Sequence, residues 1–136
     1  MQEREGLRDY LSSQKWDAYF TATFKNHQRY SATALSLVAK SLLSPRLRPT
    51  KSFICAEQHM LGGWHCHGLL QFPKSHWKEK EVVFARATLS PLGFNMVSTT
   101  KNTSACAAYL SKYLTKDDAH GDWIMTGRKK FWQGGA

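Results

Sequence analysis

Two β-type runs separated by a glycine turn constrain this chain more than any other feature. Lys51 to Gln58 (KSFICAEQ) and Trp64 to Phe72 (WHCHGLLQF) are rich in aromatic, aliphatic and β-branched residues, and Leu61-Gly62-Gly63 lies between them. Such a spacing predicts an antiparallel hairpin. Its neighbours must then supply the rest of a sheet.

Upstream, Tyr19 to Phe24 (YFTATF) has the composition of a strand, with Phe20, Ala22 and Phe24 on one face and Thr21 and Thr23 on the other. Asn26 is the expected N-cap of a helix from about Gln28 to Leu43. Ala34, Leu35, Val38 and Leu42 recur there at three- and four-residue steps before Pro45 and Pro49. Downstream, Ser75 is the expected cap of a second helix through about Thr88, ended by Pro91 and Gly93. Phe94 to Thr100 reads as a fourth strand, and Thr103 or Ser104 opens a third helix through about Lys116. The tail from Trp123 to Trp132 offers one more short strand. The order β-α-β-β-α-β-α predicts an α+β fold, a ferredoxin-like or RRM-like split βαβ antiparallel sheet with its helices on one face and an extra C-terminal helix. One sheet face is left for chemistry.

The hairpin itself concentrates chemically useful groups. Residues two apart on a strand point the same way, so His65 and His67 project together while Cys66 faces the other side. On the partner strand Glu57 shares a face with Phe53 and Cys55, and a turn near Leu61 or Gly62 sets Glu57 across from His65 or His67. Two imidazoles and a carboxylate form a three-ligand divalent-metal site with open positions. His59 is the alternative ligand, and His27, His76 and His120 have no such company.

The third helix carries a second group. Tyr109, Lys112, Tyr113 and Lys116 are spaced i, i+3, i+4 and i+7, which places two phenols and two ammonium groups on one helical face. A phenol is a poor nucleophile at neutral pH unless positive charge or a base lies nearby.

Charge narrows the partner. The 136 residues hold 19 Lys and Arg against 10 Asp and Glu, a net +9, and Glu57 is the single acidic residue between Asp17 and Glu79. That bias suits a phosphate-rich partner. A chain of this length builds one core. No apolar run approaches the roughly 20 residues of a membrane helix, and Cys55, Cys66 and Cys106 show neither a disulfide framework nor C-x-x-C spacing. A soluble, cytoplasmic protein is expected.

With these groups in place the sequence resembles the HUH endonucleases, in particular the replication initiators of rolling-circle plasmids, phages and circular single-stranded DNA viruses. YFTATF is similar to the family's first motif. CAEQHMLGGWHCHGLLQF resembles the histidine–hydrophobe–histidine motif with its upstream acidic ligand, and YLSKYLTK the tyrosine helix in its double-tyrosine form. Cys66 takes the hydrophobe position.

The resemblance implies that Glu57, His65 and His67 bind Mg²⁺ or Mn²⁺ and that Tyr113 or Tyr109 is the nucleophile, with Tyr113 favoured for the first attack. Lys116 and Lys112 would steady the phosphate or phenolate, and the tyrosine helix would lie by the active site. The activity implied is nicking and joining of single-stranded DNA at a replication origin. Stacking beside basic residues is expected from Arg128, Lys129 and Lys130 with Phe131 and Trp132, and from Lys25 and Arg29.

Residues 1–136 are then a single nuclease domain, a monomer in isolation, either a complete small initiator or the nuclease part of a longer one. A host replication helicase and polymerase are the expected partners, in the cytoplasm of the host cell. The competing readings are a relaxase or single-strand transposase of the same superfamily, a non-catalytic RNA-binding module, and a zinc-stabilised domain, which would want four closed ligands.

Overall fold

Alternation of apolar and polar residues along the central strands builds a six-stranded antiparallel sheet in the order β4-β1-β3-β2-β5-β6. The computed structural model describes residues 2–43, 51–58, 63–73, 77–99, 123–127 and 131–134. In chain order the elements are α1 (Gln2–Ser13), β1 (Ala18–Phe24), α2 (Ser31–Leu42), β2 (Lys51–Gln58), β3 (Trp64–Gln71), α3 (Lys78–Leu89), a 3₁₀ turn (Ser90–Leu92), β4 (Gly93–Thr99), β5 (Trp123–Gly127) and β6 (Phe131–Gly134). The β4-β1-β3-β2 order is that of the expected split βαβ sheet, so the α+β class read from the sequence holds. The third helix expected through Lys116 lies outside the described residues.

One face carries the main core. Ala18, Phe20 and Ala22 of β1, Ile54 and Ala56 of β2, and Cys66 and Leu70 of β3 meet Leu35, Val38 and Leu42 of α2 and Val82, Ala85 and Leu89 of α3. Burying each large aliphatic side chain stabilises the fold by about 1.5–3 kcal/mol. Gly68 of β3 exists for this face: a Cβ there would stand 2.3 Å from the Phe20 ring and 2.4 Å from the Phe53 carbonyl oxygen. Arg86 fastens α3 to the edge strand by donating from Nε (3.0 Å) and Nη2 (2.7 Å) to the Val97 carbonyl. The Ser52 and Thr126 hydroxyls bond to each other where β2 meets β5.

Several boundaries differ from the sequence reading. Helix α2 begins at Ser31, with Tyr30 as an extended N-cap that makes no side-chain bond. Asn26 sits in the bend leaving β1, where its carbonyl accepts from Gln28 Nε2. The residues between are used in crossing from sheet to helix layer. Helix α3 starts at Lys78 after an extended Trp77, and Ser75 lies outside the described residues. The tail forms two strands rather than one, β5 pairing with β2 and β6 with β5.

The helix α1 has no counterpart in the sequence reading, and it changes the second face. Leu11 and Trp16, both fully buried, pack with Phe53, Cys55 and Leu69, and Tyr10, Tyr19 and Trp123 complete the cluster. Trp16 Nε1 donates to the Leu11 carbonyl (2.9 Å), and Lys51 Nζ donates to Tyr10 Oη (3.2 Å) and Gln14 Oε1 (2.9 Å). Part of this face is therefore covered, and what remains open is the end toward Glu57 and His65.

Candidate metal centre

Register decides which side chains meet at the open end. In the β2–β3 ladder Glu57 pairs with His65 and Cys55 with His67. Glu57 therefore stands directly opposite His65, the first of the two partners the sequence left open, and lies diagonal to His67. Gly63 makes this register possible from the turn side. Its φ of +79° suits glycine, and a Cβ would come within 2.9 Å of the His27 ring. His27 is itself exposed.

The three side chains converge. Ligand atoms of Glu57, His65 and His67 all lie within 4.8 Å of one another, and His67 Nε2 is 3.7 Å from Glu57 Oε2. The imidazoles meet edge to face, their centroids 4.7 Å apart at 71°. Two ligands each about 2.1 Å from a shared ion stand at most about 4.2 Å apart, so the set needs to draw in by no more than about 0.6 Å. His67 is buried and the other two are half-buried. Two nitrogens and one carboxylate oxygen fit a divalent ion and leave positions for water or substrate oxygens. That fit is chemical, and it leaves the identity of the metal open.

Tyr19 is a member of the site that the sequence reading did not single out. Its hydroxyl lies 3.3 Å from His67 Nδ1. A phenol both donates and accepts, so this bond persists in either tautomer. When Nε2 is the ligand atom, Nδ1–H donates to Tyr19 Oη, the supporting arrangement metal-binding histidines commonly show. The signal was parity: Tyr19 shares its strand face with Thr21, and Thr21 pairs with His67.

Cys55 lies next to the trio but is not one of the converging donors. It is fully buried, and burial, reinforced by the charge of Glu57, pushes its thiol up to about 12, so it stays protonated at neutral pH. Burial also raises the Cys66 thiol, which faces the main core. Of the remaining sequence candidates, Lys25 and Arg29 are exposed just beyond β1. Lys25 donates its backbone N–H to Leu92 (2.9 Å), which puts it at the same end of the sheet as Glu57 and His65. Tyr109, Lys112, Tyr113, Lys116, Arg128, Lys129, Lys130 and His59 lie outside the described residues.

A split βαβ sheet that gathers two histidines and a carboxylate on the open end of one face defines an α+β protein with a candidate divalent-metal centre. The chain belongs to the replication-associated protein family of the ORF2 type, whose model matches residues 17–118, well over half of the sequence. The matched span takes in Glu57, His65 and His67 together with Tyr109, Lys112, Tyr113 and Lys116. Membership supports a role in rolling-circle replication initiation and, with it, a DNA partner. No curated protein and no solved structure matches the chain. Among the described residues no helix is long and apolar enough to cross a membrane.

Proposed function

We propose that this protein is a metal-dependent, strand-specific endonuclease and ligase of single-stranded DNA that starts rolling-circle replication by tyrosine transesterification. The observation that carries the reading is the convergence of Glu57, His65 and His67 on the open end of the sheet in a chain of the replication-associated family. A divalent ion such as Mg²⁺ or Mn²⁺ held by these residues would neutralise charge on the scissile phosphate. Tyr19 would keep His67 in the ligating orientation.

The nucleophile in this reading is Tyr113. Its phenol loses a proton, its oxygen forms a bond to phosphorus, and the bond from phosphorus to the 3′ oxygen breaks, that oxygen leaving as a hydroxyl after taking up a proton. The protein then carries the 5′ end as a phosphotyrosine, and no ATP is needed because one phosphodiester replaces another. Attack by a free 3′-OH reverses the step, which gives joining. Tyr109, one turn earlier, serves the second transfer, and Lys116 and Lys112 steady the phosphate and the phenolate. Lys25, Arg29, Arg128, Lys129 and Lys130 guide the strand. The 3′-OH released is the primer for a host polymerase, with a host helicase opening the duplex.

The test is a denaturing gel of the protein with a diverse pool of single-stranded oligonucleotides in Mn²⁺ or EDTA. A Mn²⁺-dependent band that survives boiling in detergent and vanishes with nuclease is expected. It should be lost in Tyr113→Phe and fall at least about tenfold in His65→Ala and Glu57→Gln. A full adduct yield in Tyr113→Phe would assign the attack elsewhere. No adduct, together with tight metal-independent binding, would make the protein a nucleic-acid-binding module.

A further inference from the structure

The edge strand β4 exposes two large apolar side chains: Phe94 is 70% and Met96 is 56% accessible. Exposed single hydrophobes are ordinary, but a neighbouring pair beside a polar site calls for a partner. The register fixes which face they occupy. Met96 pairs with Thr21, and Thr21 pairs with His67. Phe94 pairs with Thr23, one step nearer the end where Glu57 faces His65. The apolar pair and the trio thus share one face, separated only by β1 and its threonines. The α1 cluster of Leu11 and Trp16 lies over Phe53, Cys55 and Leu69.

We propose that Phe94 and Met96 form a base-stacking platform for the single strand whose phosphate lies at Glu57, His65 and His67. The proposal rests on the single-stranded DNA reading above and extends it to a second contact. Strands stand about 4.8 Å apart, so the pair lies roughly 10 Å, two strands, from the histidines, within reach of nucleotides adjoining the one being cut. A phenyl ring stacks on any base, and a thioether adapts its soft surface to whatever lies on it. Charge selects the occupant. With a net +9 and Lys25 exposed at the same end of the sheet, this face attracts a polyanion and disfavours a second copy of the chain.

Fluorescence anisotropy of the full chain in EDTA tests this with two probes, a short labelled oligothymidylate and an abasic deoxyribose-phosphate oligomer of the same length. Phe94→Ala should weaken oligothymidylate binding about fivefold or more, Phe94→Ala with Met96→Ala further, and Phe94→Trp should retain it. The abasic oligomer should bind all variants alike. Both positions are exposed, so the fold should survive, which circular dichroism checks. Unchanged oligothymidylate affinity in the double variant overturns the platform, as does an equal loss on the abasic probe. A concentration-dependent dimer that the same substitutions abolish, with DNA affinity unchanged, also overturns it and assigns the face to a second copy. If the adduct still forms in Mn²⁺ while the variants bind normally, the platform alone is wrong. If the wild type neither binds nor forms an adduct, the DNA reading falls with it.

Discussion

Tyr19 shows how a single hydroxyl can govern a site to which it contributes no ligand. His67 is buried, and its ring has few ways to turn once Nδ1 is held by Tyr19 Oη at 3.3 Å and Nε2 faces Glu57. Removing the hydroxyl leaves the trio in place and frees the ring that must present Nε2. Tyr19→Phe should therefore lower Mn²⁺ affinity about tenfold or more, measured by titration calorimetry, with circular dichroism unchanged. His67→Ala should abolish the high-affinity phase. Equal affinity in Tyr19→Phe and wild type would show that the ring is held by its other neighbours and that Tyr19 only fills space. The parity that sets Tyr19 beside His67 was readable in YFTATF, but choosing it needs the β1–β3 register, which pairs Thr21 with His67. Register between strands far apart in sequence is not a local property.

At the scale of elements, the strands and their order were legible because a period of two survives wherever one face is buried. Lys51–Gln58 appears with the bounds the sequence suggested, and the trio follows from it and from Trp64–Gln71. Helix α1 was not legible. Its sequence QEREGLRDYLSS is dominated by polar and charged residues, and the side chain that anchors it most deeply is the single Leu11. Amphipathic periodicity needs several apolar positions to register, and here one leucine and the following Trp16 suffice because the sheet supplies the rest of the cluster. Leu11→Ala should then cost about 2–5 kcal/mol in urea unfolding, the range for a fully buried leucine. A loss below about 1 kcal/mol would mean that α1 adds little to the fold and that Phe53 and Leu69 are covered without it. Gly68→Ala should be destabilising as well, since its Cβ would meet both Phe20 and the Phe53 carbonyl.

For the whole molecule, the relevant quantity is the field of the surplus charge. Glu57 is the single acidic residue between Asp17 and Glu79, and the structure places it among the candidate metal ligands. The one negative charge of that stretch is thus one that a divalent ion would neutralise, and its remaining charged residues contribute positive potential. Binding of a single strand should release about 0.7 counterion per phosphate neutralised. Four to six such contacts give a slope of log affinity against log salt near −3 to −4, a fall of roughly 50- to 350-fold between 50 and 200 mM. Lys25→Ala should make the slope shallower by about 0.7, because Lys25 stands exposed at the triad end of the sheet. Phe94→Ala should displace the line to weaker binding without changing its slope, because stacking releases no counterions. Anisotropy titrations at four salt concentrations separate the two kinds of contact. A slope near zero in the wild type would mean that the basic surplus is only a solvated surface, and parallel slopes for Lys25→Ala and wild type would remove Lys25 from the path of the strand.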